Sequence, residues 1–342
     1  MEVERPQSIR CSSRYCIMRC LLPILLWAAG SLQAFAASPI TAEQLENIVA
    51  AAGHKSDAAV AREISGLELT ERLSMARFSR CVADLPGPHA KEALLALADM
   101  SAFLDPPAAA IPNLAEPDLA SQRKIMALAV NYVDMTRHNL PNLFATRTTT
   151  TFQQILSSRK PLHSFGKYRA RVLYRDGNEK EHSIGHGSEE KGLTTSGEFG
   201  PILGTALLDA AQGNLTWSHW EQGAAGPAAV FRYAVNASES HYKVENQTTA
   251  YHGEIAIDPS NGTILRIVLR SDPGTDNWLF SVAEILVEYG PVELGGITYF
   301  CPLKGIALSE GPQELWLNDV VFEQYHLFRS NMHILPDFNP VD

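Results

Sequence analysis

The stretch AYHGEIAIDPSNGTILRIVLRSD, Ala250 to Asp272, decides the fold. On its first arm Tyr251, Ile255 and Ile257 alternate with His252 and Glu254. On its second, Leu265, Ile267 and Leu269 alternate with Arg266 and Arg270. Residues two apart share one face of a strand, and the DPSNGT between the arms has the composition of a tight turn. The stretch therefore predicts an antiparallel hairpin with one apolar and one charged face.

The same period runs outward along the chain. Phe231, Tyr233 and Val235 oppose Arg232, and Ile285, Val287 and Tyr289 oppose Glu284 and Glu288. KYRARVLYRDGNEKEHSIGH, Lys167 to His186, predicts a second hairpin around Asp176-Gly177. FATRTTTTFQQ, TWSHWEQ, ITYFCP, KGIALSE and ELWLNDVVFEQYHLF add further strands, giving about 11 to 12 from residue 143 onward, mostly joined by short turns. That is an antiparallel meander. No βαβ alternation is present, which excludes a nucleotide-binding parallel sheet. A sheet with one apolar face must curl around something: a helix, a second sheet or an apolar ligand.

One segment interrupts the meander. LTTSGEFGPILGTALLDAAQG, Leu193 to Gly213, combines small residues with an apolar run, a layout that raises the question of a phosphate loop or a nucleophile elbow. It has no lysine in the Walker position, and Ser196 lacks the flanking G-x-S-x-G glycines. The segment reads instead as a loop and an inserted helix, with Pro201 at its first position, Gly213 past its end, and Leu203, Ala206, Leu207 and Ala210 facing the sheet. His182 and His186 lie four apart on a strand, about 13 Å, too far to share a metal ion. No catalytic residue, metal site or cofactor is expected; a hydrolase built on Ser196 needs a histidine beside it. Trp217 and Trp220 fall at the lip of the apolar face, where they either pack the core or meet a ligand.

Before residue 143 the pattern is helical. Thr41 and Gln44 form a capping-box pair ahead of ENIVAAAG, LTERLSMARFSRCVADLPG and HAKEALLALADMSAFLDPP follow, and AAAIPNLAEPD is a proline-rich linker into a long helix. These helices over residues 37–142 form a bundle or a cap on the sheet. Residues 1–36 read as a secretory signal: Arg5, Arg10, Arg14 and Arg19, then LLPILLWAAG, then Ala34 and Ala36 at a small-x-small cleavage site. An exported, periplasmic or envelope-associated protein is expected, with no stable membrane span after cleavage. Losing four Arg and two Glu with the leader takes the formal charge from -10 to -12. An acidic chain without a basic stripe argues against nucleic acid as a partner. Of five cysteines, Cys81 and Cys301 remain, either as one disulfide or as two buried thiols.

The α+β order of helical region, curved antiparallel sheet and inserted helix resembles the LolA/LolB-like lipoprotein-carrier superfamily. The residues that carry the resemblance are YHGEIAIDPSNGTILRIVL, with Asp258-Pro259 closing its first strand, and EILVEYGPVELGGITYFCP; it covers roughly Phe144 to Leu335. The resemblance implies a half-barrel wrapped around helices. It also implies a non-enzymatic carrier whose partner is a hydrophobic small molecule, an acyl chain or a lipoprotein. The ligand would lie against Phe231, Tyr233, Val235, Ile255, Ile257, Leu265, Ile267, Ile285, Val287, Tyr289, Trp217 and Trp220, under the inserted helix as a lid. The competing expectation is an envelope interaction module whose concave face is filled by helices.

Overall fold

A computed structural model describes residues 38–158, 160–184, 190–244, 247–272 and 280–328. The leader and His186 lie outside the described residues.

The described residues begin with a helical layer. β1 (Ser38–Ile40) pairs in parallel with β2 (Leu67–Leu69), and between them run α1 (Ala42–Ala51) and α2 (Asp57–Ile64). The expected capping box is present at the start of α1: Gln44 N–H donates to Thr41 Oγ1, and Thr41 N–H to Gln44 Oε1. α3 (Met75–Asp84) and α4 (Pro88–Ser101) complete the layer. α4 has glycine at its N-cap, so Asp57 of α2 supplies the missing acceptors, taking the N–H groups of His89 (3.1 Å) and Ala90 (2.8 Å). The helix expected from Leu69 onward is corrected. Leu67–Leu69 is a strand, because pairing with Ser38–Ile40 satisfies its backbone, and the helix begins only at Met75, behind the Ser74 cap.

After a linker containing a 3-10 turn at Ala108–Ala110, α5 (Leu119–Asn139) leads into the sheet strands. β3 (Leu143–Ile155), β4 (His163–Arg175) and β5 (Asn178–Ser183) come first, then α6 (Pro201–Gln212). β6 (Asn214–Gln222), β7 (Pro227–Val235), the two-residue strands β8 (Lys243–Val244) and β9 (Gln247–Thr248), β10 (Ala250–Ile257), β11 (Ile264–Asp272), β12 (Val282–Leu294), β13 (Ile297–Glu310) and β14 (Glu314–Leu327) follow. Ten of these form one antiparallel sheet in the order β5-β4-β3-β14-β13-β12-β11-β10-β7-β6, while β8 and β9 pair only with each other. The sheet is curved and open. Its order forces the role of α6: β5 and β6 are the two opposite edges, so the segment joining them has to cross a face of the sheet.

Both expected hairpins form. Asp176 (φ 52°) and Gly177 (φ 78°) take the left-handed conformations that a two-residue turn between β4 and β5 requires. In the turn joining β10 to β11, Asp258 Oδ1 accepts from Ser260 N–H and the Asp258 carbonyl from Gly262 N–H.

The sheet buries both faces. Its concave face packs on α5 and α6. On the convex face, Ala96 and Phe103, from α4 and the residues just after it, meet Phe152, Val268, Leu286, Ile306, Leu308 and Leu317. The expectation of a simply charged outer face is thereby corrected. The helical layer covers its middle and brings its own charges to those of the strands.

Candidate functional site

The concave face is built from alternate residues of four neighbouring strands. Phe231, Tyr233 and Val235 of β7, Ile255 and Ile257 of β10, Ile267 and Leu269 of β11, and Ile285, Val287 and Tyr289 of β12 form one cluster with Leu203, Ala206, Leu207 and Ala210 of α6 and Ile125, Ala129 and Val133 of α5. The structure thus brings together all the expected concave residues but one. Leu265 leaves the face because a bulge puts it out of register: Ile257 pairs with Ile264 while Ala256 pairs with Arg266. It lines the convex side instead, beside Arg266. Trp217 and Trp220 pack edge to face, 5.0 Å between ring centres, and Trp217 meets the Phe231 ring at 5.4 Å. The Trp220 indole donates to the Ala115 carbonyl, so the linker between α4 and α5 passes over this edge of the sheet.

The concave face is occupied. Phe231 is 2 % exposed, Ile255 and Val287 0 %, and Leu203 and Leu207 of α6 3 % each. Each buried leucine is worth about 2 kcal/mol against solvent. The inserted helix therefore fills the trough in this conformation. A shallow opening of about 230 Å³ lies between the end of α5 (Tyr132, Met135, Leu140) and the start of β13 (Thr298, Tyr299, Phe300).

Two polar anchors hold the inserted segment. At the far end of α6, Asp209 is fully buried and accepts from Tyr251 Oη (2.9 Å) and from the His241 backbone N–H (2.8 Å), with His241 Nδ1 at 2.6 Å. Burial, together with Tyr233 and Asp209, raises the Tyr251 hydroxyl far above its usual range, so it is a donor at all working pH values. Ahead of α6, Glu179 accepts Gly197 N–H (3.1 Å) and Phe199 N–H (2.7 Å). Burial and the neighbouring Glu198 push its carboxyl up to about 8.

Beside it Arg147, 1 % exposed, bonds Glu190 (2.5 Å) and lies 3.4 Å from Glu181; Thr149 also donates to Glu190, and Thr195 to Glu198. Burial opposes the Arg147 charge, but Glu190, Glu198 and Glu181 hold the guanidinium ionised. This polar half of the concave face was missed in the sequence. Its signal was Arg147 interrupting a threonine-rich strand, ATRTTTT.

Ser196 is exposed, and among the described residues no hydrogen bond joins it to a histidine. His182 is exposed on the edge strand β5. Of the two alternatives left open for the cysteines, the structure has the two thiols. Cys81 and Cys301 are both free and buried, in separate clusters: Cys81 with the helices of the N-terminal layer, Cys301 with Phe199 and Phe322. Burial pushes the Cys301 thiol up to about 12, leaving it inert. Among the described residues no helix is long and apolar enough to cross a membrane.

No protein-family model matches the chain, and no curated protein matches it. Among solved structures it is similar to a domain from Vibrio parahaemolyticus described as an outer membrane lipoprotein-sorting protein domain. The two share 9 % identity with a TM-score of 0.34, over 63 % of this chain and 95 % of that one.

Proposed function

We propose that the protein is an exported, non-enzymatic carrier of a hydrophobic ligand, a lipid acyl chain or the chain of a lipoprotein, which lodges on the concave face in place of α6. The observation that carries this reading is how α6 is held. Its inner face is apolar, yet its far end is fastened by one buried carboxylate, Asp209, to Tyr251 and His241. A helix seated this way exchanges for alkyl chain at little cost in apolar burial, since each chain methylene regains about 0.8 kcal/mol. In this reading the chain enters by the opening between α5 and β13, beside Tyr132, which packs on the concave cluster.

A second reading is favoured by the near-zero exposure of Phe231, Ile255 and Val287. In it, the helices are a permanent filling and the protein is an interaction module of the envelope. Asp209→Asn separates the two. If α6 is a lid, removing the carboxylate weakens its hold by about 1 to 3 kcal/mol. Apparent affinity for a fluorescent fatty acid then rises by about 5- to 150-fold, and native mass spectrometry finds acyl chains on the variant. If α6 is a filling, the same variant loses stability and takes up no fatty acid, and the carrier reading fails.

A further inference from the structure

On the opposite side of the sheet from α6, a cleft of about 320 Å³ separates the helical layer from the strands. This volume lies at the small end of the range for small-molecule sites. Leu286 and Ile306 of the sheet and Ala102 beyond α4 form apolar walls, and the exposed Met75 and partly exposed Ala110 stand at its mouth. Met75 is 54 % exposed although it is a large apolar residue.

The charges in this cleft fall into two groups. At one end Glu221 is bound by two guanidiniums, Arg266 Nη1 and Nη2 (2.9 and 2.7 Å) and Arg72 Nη2 (2.7 Å). Burial works against the Glu221 charge, yet the bonds from Arg266 and the nearby His219 and Arg72 hold its carboxyl well below the usual range. The Glu221 carboxylate is satisfied there. At the other end Lys304 Nζ lies 2.5 Å from Asp99 Oδ1 and 3.0 Å from Asp319 Oδ1. One ammonium faces two carboxylates there, with Glu288 opposite Lys304 in the strand register. Asp99 is 2 % exposed and lines the cleft, and its second oxygen, Oδ2, has no hydrogen-bond partner. A buried carboxylate oxygen without a donor is costly.

We propose that this cleft is a binding site for an organic cation, a primary ammonium carried on a short aliphatic body, with the ammonium donating to Asp99 Oδ2 and the body lying along Leu286, Ile306 and Ala102. An ammonium has three donors and no acceptor, which suits a site where acceptors are in surplus. The site lies on the face away from α6 and does not depend on the carrier reading.

Proton release is a signature of the site. Burial and then Asp319 raise the Asp99 carboxyl, against Lys304, which favours a proton on it in the ligand-free cleft. The other charged groups around it are Glu288, Arg266, Arg72 and Glu221. Of these, Arg266 and Arg72 are held in ion pairs by Glu221. An incoming ammonium displaces the proton, and the binding heat then varies with the ionisation enthalpy of the buffer.

The test is calorimetric titration of the full protein with n-butylammonium, in two buffers, with n-butanol as the uncharged control. Saturable binding of butylammonium, with proton release and no binding of butanol, is the expected result. Asp99→Asn should weaken it by about tenfold or more and abolish the proton release. Ala110→Trp, which leaves every charge in place and blocks the mouth, should weaken it as well. The proposal is overturned if butanol binds as well as the amine, if no saturation is reached, or if Asp99→Asn binds as tightly as the parent. A folded Ala110→Trp variant with unchanged affinity would also overturn it, by placing the amine elsewhere.

Discussion

Glu179 ties the loop ahead of α6 to the edge strand β5, and its ionisation makes that tie dependent on pH. Its oxygens accept the Gly197 and Phe199 N–H groups, while burial and Glu198 push its carboxyl from the ordinary 4.5 up to about 8. In the unfolded chain the group titrates near its ordinary value. Between the two values the folded state therefore holds more protons than the unfolded one. The stability contributed by the neutral carboxyl is complete below about pH 4.5 and is lost as the pH rises through about 8. A gap of about 3.5 pH units at about 1.4 kcal/mol each sets a ceiling of about 5 kcal/mol, and residual solvent contact brings this to about half. Urea unfolding at a series of pH values from about 5 to 9 reads this out, comparing the parent with Glu179→Gln. The parent should lose about 2 kcal/mol more than the variant across that range. Glu181 and Glu284 are raised by burial as well, and they tilt both proteins alike, so the difference belongs to Glu179. Equal slopes in the two proteins would refute the reasoning, and with it the claim that this carboxyl is buried against the loop.

Two other outcomes bear on how the layers meet. Gly262 has φ of +81°, and a Cβ there would sit 2.3 Å from the Leu128 carbonyl carbon of α5. Gly262→Ala should lower the unfolding free energy by about 2 kcal/mol or more in urea melts, and a neutral result would mean that α5 does not lie against this turn. Peptide mapping after alkylation without reductant should find Cys81 and Cys301 unmodified in the native protein and modified in the denatured one. A linked pair of peptides would overturn the placement of the two thiols in separate clusters.

What was legible in the sequence follows from the range of the interactions involved. The Ala250–Asp272 hairpin could be read because a strand repeats every two residues and its turn chemistry is local. The same holds for α6, whose limits Pro201 and Gly213 are themselves local signals. Leu265 was misplaced because a bulge shifts register without any mark in the alternation of residue types. The strand at Leu67–Leu69 was missed because its partner lies 29 residues earlier, and three residues carry too little period to be told from a helix turn.

The convex face was read only as charged for a similar reason, and the burial of that charge is instructive. Arg266 and Lys304 alternate with apolar residues, as they would on a wet face. Such a charge can be buried only if an opposite charge is delivered to it, and here the partners come from elsewhere in the chain. Arg72 and Asp99 arrive from the helical layer, while Glu221 comes from the edge strand β6. A buried charge that is paired costs little, and one left over costs several kcal/mol. At one end the Glu221 carboxylate is met by two guanidiniums, whereas at the other an Asp99 oxygen has no donor. Sequence alternation alone cannot distinguish these two ends of one cleft, since both read as charge opposite hydrophobe. The difference appears only when the helical layer is in place, and it is what turns a packing interface into a site that wants a cation.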